Sequence, residues 1–228
     1  MNKSIAIMVS TLVLGAALTS TGSADADESL EVTKADPPTE IAADIRAKIE
    51  PTVYRIANKD GIIFEFWLVS TLELEAVPEP GKKALDGIGG ITLLGAAKVH
   101  AKNRYDFRDD PIDPGIYTLR MGLQPADGNH LGTAPFDTFA MLVPHERDTK
   151  LNGIPDHDTL VEMSMEDTAG QHPSILGLQP MKKVEGEFPS LAEGGHDWKY
   201  LNIKLPIKVG DETESIAVQL VYEGVGDL

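Results

Sequence analysis

Short runs of β-branched and aromatic residues recur along most of this chain, and turn-forming residues separate them. The clearest pair is residues 53–56 (VYRI) and 62–69 (IIFEFWLV), which flank the segment 57–61 with its Asn-Lys-Asp-Gly turn. A turn of this composition between two such runs is typical of a β-hairpin. Further strand candidates are residues 91–99, 116–123, 138–143, 200–209 and 216–222. Seven short strands and few helical segments predict a mainly β fold, specifically an antiparallel β-sandwich.

One helix is predicted near residues 159–169. Asp158 stands where an N-cap residue is expected, and a glycine follows the last predicted turn. Val161, Met163 and Met165 also alternate with polar residues. A strand is therefore the other interpretation of this segment.

The first residues have the pattern of a secretory signal. Lys3 precedes an uncharged apolar run at residues 5–18, and small residues follow it up to Ala24. A membrane-spanning helix needs about 20 apolar residues, so this shorter run fits the apolar region of a cleavable signal peptide. We expect residues 1–24 to be removed and the mature protein to be secreted or periplasmic, with no membrane insertion after cleavage.

The rest of the chain is long enough for one domain. Residues 25–38 are polar and without a hydrophobic period, which predicts a flexible leader. Residues 39–228 then form a single β-sandwich domain, which begins with a short N-terminal helix capped by Thr39. One face of that helix carries three isoleucines, Ile41, Ile45 and Ile49.

The charge and the absence of cysteine limit the partners and the chemistry. The chain has 20 Lys and Arg against 36 Asp and Glu, a formal net charge of −16, and no Cys. So acidic a protein is repelled by the phosphates of nucleic acid and by anionic lipid. The lack of Cys excludes disulfides and thiolate sites. We therefore expect no nucleic-acid partner, and a small ligand or another protein as the partner.

Two segments carry a more specific pattern. Residues 114–132 read PGIYTLRMGLQPADGNHLG, and residues 169–173 read AGQHP. These segments resemble an uncharacterised family of predicted secreted bacterial proteins, and the resemblance covers most of residues 40–222. It implies a secreted protein but no activity, cofactor or catalytic residue, because none is known for that family. Its members often have a Cys near the position of Phe64, where this chain has none.

Polar groups suited to ligand binding concentrate in two loops that follow apolar segments. The first is the glycine-containing turn after the strand at 116–123, and the second contains His172, which the next proline holds in an extended backbone. Loops at the end of a rigid sandwich are common places for binding sites. The candidate ligand-binding residues are Arg108, Arg120, Gln124, Asp127, His130 and His172. The structural alternative is that Asp127 bonds to its own turn and Arg120 pairs with an acidic neighbour such as Asp106.

Catalytic motifs are not found in the sequence. It has no G-x-S-x-G, no H-E-x-x-H, no phosphate-binding loop and no G-x-G-x-x-G. The sequence therefore favours a non-catalytic binding domain with no cofactor, no catalytic residue and no assigned metal ligand. One alternative is a hydrolase that uses a pair of carboxylates. The other is a periplasmic copper-type metal-binding protein, because six His and several Met supply suitable ligands.

Overall fold

The computed structural model describes residues 28–79, 81, 84–85, 87–100, 102–124, 136–165, 172–181 and 184–226. The expected signal peptide, and the candidate residues Asp127 and His130, lie outside these ranges. Within them the protein is mainly β, as its sequence predicts, and has two α-helices. No helix in the described part of the chain is long and apolar enough to cross a membrane.

The elements have the following bounds. The strands are β1 (Glu28–Lys34), β2 (Ile49–Asn58), β3 (Gly61–Val69), β4 (Leu72–Glu73), β5 (Leu93–Val99), β6 (Arg104–Tyr105), β7 (Pro111–Ile112), β8 (Gly115–Leu123), β9 (Thr138–Pro144), β10 (Ile175–Pro180), β11 (Ser190–Glu193), β12 (Lys199–Val209) and β13 (Glu212–Glu223). The helices are α1 (Ala43–Arg46) and α2 (His157–Met165), and a 3-10 turn spans Gly195–Asp197.

Eleven of these strands form one curled sheet that is mostly antiparallel. Its order is β1-β2-β3-β5-β8-β9-β10-β13-β12-β11, and β4 pairs with β12 in parallel. The two ends of the sheet meet, because β1 contacts β11. Glu28 in β1 also accepts hydrogen bonds from Lys199 of β12 at 2.9 Å and from the Tyr222 hydroxyl of β13 at 2.7 Å. Across the core, Phe64 of β3 packs against Tyr222 with ring centroids 6.2 Å apart. The main hydrophobic core therefore joins both halves of the sheet.

The hairpin expected from the Asn-Lys-Asp-Gly segment connects β2 to β3. Asn58 pairs with Gly61, which leaves a two-residue turn, and the Asn58 side chain accepts a hydrogen bond from the N–H of Asp60 at 2.9 Å. Gly61 has a φ of +128°. Only glycine adopts that conformation without a steric penalty, so the local sequence determines this turn.

The segment expected to be a flexible leader contains a strand instead. Residues 28–34 form β1, which pairs along its whole length with β2. Leu30 is buried while Ser29 and Glu31 on either side are largely exposed. Only one face of β1 is covered, so its overall composition is polar although its alternation is that of a half-buried strand.

Helix α1 is a single turn, and its N-cap residue is Ala42, which makes no side-chain cap. The expectation that Thr39 caps this helix is therefore wrong. Ile41, which precedes α1, and Ile45, which belongs to it, are both buried, whereas Ile49 belongs to β2. Helix α2 begins at His157, two residues before the expected start, and Asp156 caps it by accepting a hydrogen bond from the N–H of Thr159 at 2.8 Å. The expectation that Asp158 is the N-cap is therefore wrong.

A second hydrophobic cluster lies under α2. It contains Phe107, Phe139, Met141, Val143, Ile154, Leu160, Ile175, Trp198, Tyr200 and Val221. The helix packs against β9, and Ser164 fixes it there by donating a hydrogen bond of 2.7 Å to the carbonyl of Leu142. This packing places α2 beside the ends of β8 and β10.

Candidate functional site

A pocket of about 270 Å³ lies between α2 and the adjoining parts of β8, β9 and β10. Its described lining residues are Arg108, Gly122, Leu123, Gln124, Phe139, Met141, His157, Asp158, Val161, Met165, His172, Pro173 and Ile175. This volume is just below the usual range of about 300–1,000 Å³ for small-molecule sites. The pocket therefore suits a small ligand.

The apolar wall of the pocket follows from strand pairing. Gly122 of β8 pairs with Phe139 of β9, and Met141 of β9 pairs with Ile175 of β10. Phe139, Met141 and Ile175 are all less than 10 % exposed. Alternation along the strands turns these side chains to the same face.

Met141 occupies the space that a side chain at position 122 would need. A Cβ atom on Gly122 would lie 2.6 Å from both Cγ and Sδ of Met141. The absence of a side chain at Gly122 therefore lets the Met141 thioether lie flat on β8. A larger residue at position 122 would change the shape of the pocket.

The polar wall is held by the buried carboxylate of Asp106. Its Oδ1 accepts hydrogen bonds from the N–H groups of Arg108 (2.8 Å) and Asp110 (3.0 Å), and its Oδ2 accepts one from the N–H of Ile175 (3.1 Å). Burial raises the pKa of Asp106, and the three hydrogen bonds oppose that shift. Both carboxylate oxygens are thus engaged with the backbone, and they hold the segment bearing Arg108 against β10.

The Arg108 guanidinium has a buried donor without an acceptor. Its Nε is inaccessible to solvent and makes no hydrogen bond to any described residue. An unsatisfied buried donor of a charged group costs free energy, on the order of 1–3 kcal/mol or more. A ligand with an oxygen acceptor would remove this cost.

Helix α2 contributes His157 and Asp158 to the opposite side. The Nε2 atom of His157 accepts a hydrogen bond from the N–H of Leu123 at 3.4 Å, which links the start of α2 to the end of β8. Asp158 is exposed at the edge of the pocket.

Three of the six residues singled out from the sequence line this pocket, namely Arg108, Gln124 and His172. They come from three separate segments of the chain. Asp127 and His130 lie outside the described residues, so their part in the site stays a prediction. Arg120 does not line this pocket.

Arg120 is a buried structural residue, 3 % exposed. Its Nε and one terminal nitrogen donate to the two oxygens of Asp148 at 2.8 Å each. The remaining donors bond the carbonyls of Ile91 and Leu151 at 3.1–3.2 Å. These contacts use all five guanidinium N–H groups, so none is left for a ligand. Arg120 does pair with an acidic residue, but with Asp148 rather than Asp106.

Sequence reasoning missed the contributions of Asp106 and α2. Asp106 was considered only as a partner for Arg120, although an Asp whose carboxylate accepts the N–H two residues later makes a recognisable turn. His157 and Val161 became site residues through the packing of α2 on β9, for which the local sequence has no signal.

A larger pocket of about 600 Å³ lies on another part of the surface, beside β4 and the start of β5. The described residues that line it include Lys48, Glu73 and Arg120. Arg120 already has its full set of hydrogen bonds, and Lys48 is exposed. We regard the smaller pocket as the better candidate because its wall holds an unsatisfied charged donor.

Metal ligation has limited support. No group of three or more His, Cys, Asp or Glu side chains among the described residues is placed to hold a metal ion. The smaller pocket is lined by two thioethers, Met141 and Met165, and by two imidazoles, His157 and His172. Thioether and imidazole groups together suit copper better than zinc or calcium.

Comparison with known proteins gave no match: no family model, no curated protein and no solved structure is similar to this chain. The resemblance to an uncharacterised secreted family, drawn from residues 114–132 and 169–173, therefore stays a proposal.

Proposed function

We propose that the protein is a non-catalytic ligand-binding domain that takes a small organic molecule in the pocket between α2 and β8–β10. The observation that carries this proposal is the pocket itself, in which Arg108, Gln124 and His172 meet a wall of buried apolar side chains. A concave, largely apolar site with a few converging polar groups is the usual form of a small-molecule site.

The chemistry of the lining favours binding over hydrolysis. Among its described residues there is no hydroxyl nucleophile and one carboxylate, Asp158. Glycoside hydrolysis ordinarily needs two carboxyl groups placed about 5–10 Å apart. These residues can hold a ligand, but they do not make a recognisable acid–base pair.

Filling the pocket tests this proposal. Val161 is half-buried in the wall, and Val161→Phe adds a ring there; Val184→Phe is the matched control because Val184 is 59 % exposed and outside the pocket. A set of small organic fragments is screened by ligand-observed NMR. We expect binders that Val161→Phe loses and Val184→Phe keeps. An absence of any binder, or binders that Val161→Phe retains, would contradict the proposal.

We also propose that the protein is exported and acts in the periplasm or outside the cell, on the basis of the signal pattern in residues 1–24. The intact mass of the protein recovered from its host tests this. A mature chain beginning at Asp25 is expected, whereas a chain that keeps residues 1–24 would contradict export by cleavage.

The finer fold prediction also remains a proposal. We infer that the two halves of the curled sheet pack face to face as an antiparallel β-sandwich with a short N-terminal helix. The contact of Phe64 with Tyr222 supports this arrangement. An experimental structure would test it through the angle and separation of the two halves.

Copper binding is a second candidate function. The same pocket contains two thioethers, Met141 and Met165, and two imidazoles, His157 and His172. Titration with Cu(I) in the presence of a competing chelator tests this, with Met141→Leu as the variant that keeps the volume. A stoichiometric site that the variant weakens would favour copper carriage over organic ligands.

A further inference from the structure

The guanidinium of Arg108 is the cation among the described residues that line the candidate pocket. The Nε of Arg108 is buried and has no acceptor among the described residues. The buried carboxylate nearest in sequence belongs to Asp106. Both of its oxygens accept hydrogen bonds from backbone N–H groups, three in all. The fold thus holds the backbone of Arg108 firmly while leaving part of its guanidinium unsatisfied.

A carboxylate is the group that best completes this arrangement. The guanidinium presents parallel N–H donors whose spacing matches the two oxygens of a carboxylate, and such charge-assisted bonds are roughly twice as strong as neutral ones. Neutral carbonyl or hydroxyl groups could accept one bond but would not neutralise the charge. The donor geometry therefore selects an anion.

The remaining wall determines what the anion is attached to. Phe139, Met141 and Ile175 form a buried apolar surface, and Val161 and Met165 of α2 add to it. A fully hydrophilic anion such as phosphate would leave this surface in contact with water. An apolar body gains about 0.8 kcal/mol for each CH₂ group that it buries.

We propose that the ligand is an organic monocarboxylate with a short apolar body, anchored by the guanidinium of Arg108. This inference rests on the proposed function and adds the chemical class of the ligand. The pocket volume of about 270 Å³ limits the body to the size of a benzoate or a C6–C8 chain. A dicarboxylate is disfavoured because the exposed carboxylate of Asp158 borders the same pocket.

The protein's own negative charge does not prevent this. Exposed charges farther than about 8–10 Å away are screened at physiological salt, whereas a partly buried contact is screened much less. Asp158 is the described acidic residue that lines the pocket, and it is exposed. Asp158 therefore repels a bound anion, but only modestly.

The test uses acids and amides of the same shape. Isothermal titration of the mature chain measures hexanoate, octanoate and benzoate against hexanamide, octanamide and benzamide. We expect the acids to bind at least 10-fold more tightly than the amides. Arg108→Gln should abolish that preference, and Arg108→Lys should reduce it because an ammonium cannot form the paired contact.

Arg46 provides a matched control. Its Nε is also buried without an acceptor among the described residues, but it belongs to α1 and does not line the pocket. Arg46→Gln should leave the preference for acids unchanged. Asp158→Asn should strengthen acid binding about 2- to 5-fold at low salt, and this gain should shrink as salt is added. Thermal unfolding of each variant verifies that the fold is retained.

The outcomes separate the two proposals. Equal binding of acids and amides overturns the monocarboxylate and leaves a binding pocket for neutral ligands. An acid preference that Arg108→Gln and Arg108→Lys both keep overturns Arg108 as the anchor, and with it this inference. Failure of all six compounds together with the wider fragment set overturns the proposed function itself. A preference that Arg46→Gln also removes would show that general charge, not Arg108, is responsible.

Discussion

The carboxylate of Asp106 and the N–H of Ile175 form a hydrogen bond of 3.1 Å that ties two walls of the pocket together. The other oxygen of the same carboxylate holds the N–H of Arg108 at 2.8 Å. One buried side chain thus fixes both the polar and the apolar side of the candidate site.

Replacing Asp106 should therefore affect both stability and binding. In Asp106→Asn, an NH₂ group replaces one acceptor, so at least one of three backbone N–H groups loses its partner. We expect unfolding to be easier by about 1–3 kcal/mol in urea titrations, and weaker binding of hexanoate. Asp109→Asn is the control, because Asp109 is exposed and Asn tolerates its φ of +67°. Equal effects of the two changes would contradict this role.

The Arg120–Asp148 pair should be important for stability and neutral for binding. Asp148 is 1 % exposed and accepts from Thr118 as well as from Arg120. Asp148→Asn leaves the guanidinium buried without its counter-charge, which should cost about 3–5 kcal/mol. Glu50→Gln, which breaks the exposed pair with Lys34, should cost less than about 1 kcal/mol. Urea denaturation measures both; a loss of ligand affinity in a folded Asp148→Asn protein would argue against this separation.

Gly122→Ala and Gly95→Ala should differ in how much they destabilise the protein and in whether they weaken ligand binding. Gly122→Ala meets Cγ and Sδ of Met141. Because this side chain can change its rotamer, we expect a modest loss of stability, about 1–2 kcal/mol, and a clear loss of ligand affinity. Gly95→Ala meets the backbone carbonyl of Trp67, which β-sheet pairing holds in place. That change should cost more, about 3 kcal/mol. Thermal unfolding and titration with octanoate distinguish them, and the reverse order of stability losses would be inconsistent with the packing.

Glu65 should give the protein a pH-dependent contribution to stability. Burial by itself would raise the pKa of Glu65, but hydrogen bonds from His100 (2.6 Å) and Arg55 (2.9 Å) outweigh it and leave that pKa below its ordinary 4.5. The stabilisation is therefore present above pH 4.5 and is lost as the pH falls through the lowered pKa.

Glu65→Gln should consequently destabilise the protein at pH 7 by about 1–3 kcal/mol, and the difference should shrink below pH 4.5. Urea titrations at several pH values measure it. Glu31→Gln is the control, since Glu31 also bonds Arg55 but is 49 % exposed. A difference that stays constant from pH 7 to pH 3 would rule out the ionised Glu65 as its source.

The sequence predicts a strand correctly where neighbouring residues, such as a turn or an apolar run, determine it. The β2–β3 hairpin follows from its turn sequence, and β8, β9, β12 and β13 follow from their apolar runs. β1 was missed because its partner lies in β2 and only alternate residues, such as Leu30, are covered. A half-covered strand with charged neighbours has the composition of a disordered leader.

The site was predictable only in part, for a physical reason. Arg108, Gln124 and His172 stand in loops with ligand-binding chemistry, which composition can indicate. Arg120 has the same chemistry, but its guanidinium is engaged by Asp148, 28 residues away in sequence. Which cation remains unsatisfied depends on long-range contacts that no local pattern encodes.

The meeting of Glu28 with Lys199 and Tyr222 has a consequence for the order of folding. These partners are separated by 171 and 194 residues, so the seam between the sheet ends cannot form until nearly the whole chain is available. Contacts of such long sequence separation slow folding, typically to milliseconds or longer in β proteins. During that interval the outer edge of β1 lacks the side-chain contacts that the seam gives it, and it can pair with a neighbouring chain. We expect the period before the seam closes to be when this protein is most prone to aggregate.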